Sequence, residues 1–148
     1  MPKRVTPPEA ADLLRQGWTY VDVRSIPEFE AGHPEGAFNV PLLHAEGGRM
    51  IPNPAFTRVM EANFTRDQKL VVGCKVGGRS LQAATLLEAS GYTSVVDMKG
   101  GFHGERDPYG RVGTPGWADS QLPVSTTAAD GATYAELASS TSRTRPAS

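Results

Sequence analysis

The residues best suited to chemistry lie in one short stretch, Gly73-Cys74-Lys75-Val76-Gly77-Gly78-Arg79-Ser80. Cys74 is the only cysteine of the chain. A thiolate is a strong nucleophile, and two conditions favour it here. The apolar run Lys69 to Val72 predicts a buried strand just before the stretch, and the pattern from Leu81 to Ser90 predicts a helix just after it. A Gly-rich loop between a strand and a helix gathers backbone N–H groups on an anion. The partial positive charge of the helix start also favours ionised sulfur. Lys75 and Arg79 add two full charges. Gly77 and Gly78 let the backbone curl with no side chain in the way, and Ser80 is expected to cap the helix. The chemistry predicted is covalent: a thiolate that takes up a group and hands it on.

What surrounds the loop must hold it. The chain has 148 residues, enough for one domain with its own core. A formal net charge of −1 gives no reason to expect nucleic acid as a partner. No apolar run approaches a membrane span, so no membrane is expected either. The first residues carry positive charge but no apolar segment of the kind that directs secretion. One cysteine excludes an internal disulfide and a multi-cysteine zinc site, and a lone thiol suits a reducing cytoplasm. His33, His44 and His103 are scattered without carboxylate or cysteine partners at ligand spacing, so neither metal nor cofactor is expected.

Thr6-Pro7-Pro8-Glu9 has the form of a helix start with a capping box, and Gly17 ends that helix. Trp18 to Val23 reads as a strand, which places Asp22 and Arg24 at its C-terminal end. In an open α/β sheet that edge is where ligands bind. A helical turn follows, with Ser25 as cap and Glu28 on it. Ala37 to Val40 predicts a short strand, ended by Pro41. The segment from Leu42 to Pro54 reads as a surface loop because of Gly47, Gly48, Pro52 and Pro54. Phe56, Val59, Met60 and Phe64 recur at helical spacing. Ser94 to Met98 is the last clear strand, and 105–117 reads as turns. Residues 125–148 hold ten Ser or Thr and six Ala. That composition predicts a domain over 1–124 and a weakly structured tail over 125–148, in which Tyr134 and Leu137 could form one docked helical turn. Strands alternating with helices predict an α/β fold with a parallel or mostly parallel sheet.

With these stretches in order, the sequence resembles a single-domain rhodanese. The resemblance runs from about Thr6 to Trp117. It rests on Tyr20-Val21-Asp22-Val23-Arg24 with Glu28-Phe29, on Gly32 to Pro41, on Cys74 to Ser80, and on Gly91-Tyr92 through Gly101. Pro34-Glu35 departs from the family's usual Ile-Pro. The resemblance implies a three-layer fold, a central sheet flanked by helices, to which the composition adds a flexible C-terminal tail. It implies a thiosulfate sulfurtransferase. Cys74 would take sulfane sulfur from thiosulfate or another small donor as a persulfide, and pass it to cyanide, a small thiol or a protein thiol.

In that reading Cys74 is the nucleophile and the backbone of Lys75, Val76, Gly77, Gly78 and Arg79 forms the cradle. The cationic groups of Lys75 and Arg79 attract an anionic donor. Asp22, Arg24, Glu28 and Ser80 support the geometry, Asp22 and Arg24 by anchoring the loop, and Glu28 either as an arginine partner or as a solvated charge. Two alternatives stand beside it. One is a non-catalytic or carrier-type module that delivers sulfur to a protein. The other is a Cys-dependent phosphatase, disfavoured because such relatives carry Cys-x5-Arg. Four residues separate Cys74 from Arg79, which leaves little room for a tetrahedral phosphoryl group.

Overall fold

The computed structural model describes residues 2–139. In chain order it contains β1 (Lys3–Val5), α1 (Pro7–Arg15), β2 (Thr19–Asp22), α2 (Ile26–Ala31), β3 (His33–Pro34), β4 (Phe38–Asn39), β5 (Leu43–Glu46) and β6 (Arg49–Pro52). Then come α3 (Phe56–Asn63), β7 (Leu70–Gly73), α4 (Gly78–Ala89), β8 (Val95–Met98), β9 (Glu105–Arg106), β10 (Val112–Thr114), β11 (Val124–Ser125) and α5 (Tyr134–Ser139). The capping box read from the sequence is present at α1: Glu9 N–H donates to Thr6 Oγ1 at 3.3 Å, and Thr6 N–H donates to Glu9 Oε1 at 2.8 Å.

Five strands form one sheet in the order β1-β8-β7-β2-β4, and every neighbouring pair is parallel. Side chains alternate between its faces, because successive residues of a strand point to opposite sides. Leu70 and Val72 of β7 join Val21 and Val95 in a core under α3, α4 and α5. Val71, Tyr20 and Val96 enter the opposite core, with Ala10 of α1 and Phe29 of α2. The result is helices on both sides of a sheet, the α/β layering expected. Each fully buried Val or Leu contributes about 1.5–3 kcal/mol, so these two cores supply the main driving force. The alternation also fixes the site: Cys74 continues the side of Leu70 and Val72, and Asp97 continues the side of Val95.

One expectation of the fold needs correction. The segment read as a surface loop from Leu42 to Pro54 is a β-hairpin, with Leu43 paired to Pro52 and Glu46 to Arg49. Gly47 and Gly48 form its two-residue turn with φ of 57° and 76°. Positive φ at both turn positions matches the twist of the strands, which is why Gly-Gly closes a hairpin rather than a loop. In the tail expected from 125, the described residues 125–139 hold the end of a short strand and the docked helical turn at Tyr134 and Leu137, with most other side chains exposed or half-buried. Val124 and Ser125 pair with Pro34 and His33, and α5 buries Leu137 in the core beside α3. Tyr134 and Leu137 supply enough apolar surface to dock one turn despite the polar composition around them. The rest of the expected tail, 140–148, lies outside the described residues.

Candidate active site

Cys74 follows directly on β7, and α4 starts only four residues later, at Gly78. The thiol is buried, with 1% of the residue exposed. Two backbone groups donate to its sulfur: Gly77 N–H at 3.1 Å and Ser80 N–H at 3.2 Å. Of residues 75–79, expected to form the cradle, Gly77 is the one whose N–H donates to Sγ among the described hydrogen bonds, and the second donor, Ser80, lies just beyond that range. Lys75, Val76 and Gly78 are exposed at the rim of the loop.

Ser80 is not the cap it was expected to be. The helix begins earlier, with Gly77 as its N-cap in the left-handed region at φ 111°. Ser80 therefore lies in the first turn, fully buried, and its side chain is free for other work. Its hydroxyl donates to Asp97 Oδ1, and Cys74 Sγ lies 3.4 Å from its oxygen. Asp97 Oδ2 in turn accepts from Arg4 Nε at 2.5 Å, and Arg4 Nη2 donates to the Gly77 carbonyl at 3.2 Å. Asp97 and Arg4 were missed from the sequence. Asp97 read as one residue of a strand, and only the β7–β8 register, Val72 opposite Asp97, carries it beneath the loop.

Arg79 meets Glu28 in a two-pronged ion pair, Nη1 to Oε1 at 2.8 Å and Nη2 to Oε2 at 3.1 Å. Of the two readings of Glu28, the arginine partner is the one the geometry supports. Glu28 Oε1 also accepts from Ser25 N–H and Oγ–H, at 3.0 and 2.9 Å. Burial works against the Glu28 carboxylate, but the bonds from Arg79 and Ser25 outweigh it and hold its pKa down at about 2. Burial likewise opposes the Arg79 charge, and Glu28 more than restores it, so its pKa lies above the ordinary value.

Asp22 and Arg24 bind each other, Arg24 Nη2 reaching Asp22 Oδ2 at 2.7 Å, and both are buried. Arg24 also donates to the Gly32 carbonyl at 2.6 Å and lies over the Phe102 ring, 4.4 Å from its centroid. Phe102 N–H donates to the Cys74 carbonyl at 2.6 Å, and His103 N–H to the Lys75 carbonyl at 2.9 Å. Phe102 thus links the pair to the loop. Gly101 makes this approach possible, since a side chain there would collide with the backbone of Cys74 and Lys75. His33 stays structural: its Nδ1 donates to the Phe29 carbonyl at 2.7 Å, and its ring stacks on that of Phe29.

The arrangement can hold a nucleophilic sulfur in a pocket of N–H donors with positive charge at the rim. Residues 6–105 match the family described as Rhodanese-like domain. The chain is 40% identical to Thiosulfate sulfurtransferase 16, chloroplastic, of Arabidopsis thaliana over 84% of this chain and 93% of that protein. It is 34% identical to Rhodanese-like domain-containing protein 15, chloroplastic, of the same plant over 78% of this chain. It spans little more than half the length of two of the curated relatives it matches, 56% and 57%. Among solved structures, Rv0390 from M. tuberculosis superposes with a TM-score of 0.73 at 25% identity, covering 84% of this chain and 98% of that one. The chloroplastic relatives overturn the cytoplasmic location expected from the lone thiol. One free cysteine reports the absence of disulfides and does not single out a compartment.

Proposed function

The chain belongs to the rhodanese-like domain family, and on that premise we propose that it is a thiosulfate sulfurtransferase working through a persulfide on Cys74. The observation that carries this reading is the sulfur itself, buried at the C-terminal end of β7 and held by the N–H groups of Gly77 and Ser80. In the first half-reaction the Cys74 thiolate attacks the outer sulfur of thiosulfate. An S–S bond forms to Sγ, the bond between the two thiosulfate sulfurs breaks, and sulfite leaves with its electron pair. In the second, cyanide or a thiolate attacks the outer sulfur and Cys74 departs as thiolate. The loop donors stabilise negative charge in each state without reorganising. Lys75, exposed at the rim, draws the anionic donor.

Arg79 weighs against phosphatase chemistry. A phosphoryl clamp needs a guanidinium directed at the transferred group, and both terminal nitrogens of Arg79 are spent on Glu28. The carrier reading, with a protein thiol as acceptor, keeps the same first half-reaction and differs only in the second.

Intact-mass spectrometry before and after thiosulfate, with and without cyanide, tests the proposal. The expected result is a gain of one sulfur atom that cyanide removes, and no gain in Cys74→Ser. Absence of the gain from a protein with a free, reactive thiol would overturn it. A stable gain that cyanide fails to remove but a protein thiol does would select the carrier reading.

A further inference from the structure

We propose that Arg4 is a positioning residue for sulfur transfer: its guanidinium, on β1, holds both backbone donors on the Cys74 sulfur, Gly77 directly and Ser80 through Asp97. This rests on the reading of Cys74 as the nucleophile.

The bonds form a closed path. Gly77 N–H and Ser80 N–H donate to Cys74 Sγ at 3.1 and 3.2 Å. Arg4 Nη2 donates to the carbonyl of the same Gly77 at 3.2 Å, and Arg4 Nε to Asp97 Oδ2 at 2.5 Å. Asp97 Oδ1 accepts from the Ser80 hydroxyl. That hydroxyl has one proton to donate. The Gly77 carbonyl and Cys74 Sγ each lie 3.4 Å from its oxygen, and the contact with Asp97 is much shorter. The proton therefore serves Asp97, and Arg4 is the side chain that holds the Gly77 carbonyl from outside α4.

Sheet register brings Arg4 to this place. Arg4 stands opposite Asp97 in the β1–β8 pairing, and Asp97 opposite Val72 in the β8–β7 pairing, two residues before Cys74. Gly77 is the N-cap of α4 at φ 111°, and a glycine has no side chain to confine it there. A Cβ on Gly77 would come 3.1 Å from Arg4 Nη2, so the guanidinium already lies against that face of the residue. A planar fork keeps its nitrogens at fixed spacing, so Asp97 and Gly77 are held in fixed relation. The neighbouring cations are placed otherwise: Arg79 bonds Glu28, Arg24 bonds Asp22, and Lys75 is exposed at the rim.

The effect on the reaction falls in the transition state. Donors that need not move stabilise developing charge best, and a displacement of about 1 Å costs on the order of a hundredfold in rate. Lys75 acts on capture of the anionic donor, and Arg4 on the step that follows.

Arg4→Lys tests this first, because it keeps a cation for buried Asp97 and removes the fork. Amide hydrogen exchange, read by NMR, should quicken about tenfold at Gly77 and Ser80 and stay unchanged at Val71 and Val72 of β7. With thiosulfate and cyanide, kcat should fall about ten- to a hundredfold, while KM stays within about twofold and the melting temperature stays near that of the wild type. Arg4→Ala should show the same loss of kcat with a lower melting temperature, since Asp97 loses its ionic partner. The exchange measurement needs no sulfur donor, so it decides the brace even if the wild type forms no persulfide. Unchanged exchange at Gly77 and Ser80 would overturn the proposal. Full kcat in Arg4→Lys would overturn it as well, by assigning the effect to charge alone. A rise in KM with kcat intact would make Arg4 a donor-binding group and overturn it too.

Discussion

Glu28 on α2 and Arg79 in the first turn of α4 are 51 residues apart in sequence, yet both guanidinium ends of Arg79 close on both oxygens of Glu28. The pair ties the Cys74 loop to a helix across the site. Two parallel bonds fix direction as well as distance, so Arg79 is a strut for the loop before it is a charge for the substrate.

That pair gives a pH signature. The Glu28 carboxylate lies at about 2 in the fold against an ordinary 4.5. A depressed value stabilises the fold fully above 4.5, and this share is lost as pH falls through about 2. Glu28→Gln keeps the side chain's shape and removes the titration. Its urea midpoint should fall less than that of the wild type between pH 4.5 and pH 2. Parallel curves for the two proteins would show that Arg79 does not depend on the Glu28 charge.

Lys75 is exposed at the rim and has a role only if the donor is an anion. Lys75→Ala should lower kcat/KM for thiosulfate about three- to tenfold, and added salt should shrink the difference by screening. Its melting temperature should stay that of the wild type. An unchanged kcat/KM at low salt would show that the charge faces away from the approach path.

Gly73 ends β7 with the Tyr20 hydroxyl in the space a side chain would take. Gly73→Ala should destabilise the protein by roughly 1–3 kcal/mol, the usual scale of overpacking, and displace Cys74. Tyr20→Phe removes the nearest atom but not the ring behind it, so recovery in the double variant should be partial. Denaturation of the single and double variants measures both. A neutral Gly73→Ala would mean that Tyr20 moves aside without cost.

Leu137 decides whether the C-terminal segment belongs to the fold. It is 1% exposed in the core shared with α3. Leu137→Ala should cost about 2–5 kcal/mol in chemical denaturation, as for other buried leucines. A loss under half a kcal/mol would show α5 to be an ornament that the core does not need.

The cysteine loop was legible in the sequence because its chemistry is local. A strand, a glycine-rich bend and a helix start are each set by neighbouring residues, and so is the anion-binding character of the bend between them. The α/β class followed from periodicity for the same reason. The hairpin at Gly47-Gly48 was also local, but its strands are short and largely exposed, with no regular apolar alternation to mark them. α5 was legible as a single docked turn from Tyr134 and Leu137, although one leucine and one tyrosine in a run of Ser, Thr and Ala carry little periodic signal.

The sequence by itself determined where the proposed nucleophile lies and what kind of loop carries it. Only the tertiary structure decided which distant residues meet at that loop. Arg4, Ser80 and Asp97 come from β1, α4 and β8, and Glu28 from α2. Parallel pairing of β1, β8 and β7 is what lays Arg4 and Asp97 under the Cys74 loop, while Ser80 is placed by the start of α4. The pairing of distant strands depends on the whole sheet, and no short window of residues contains it.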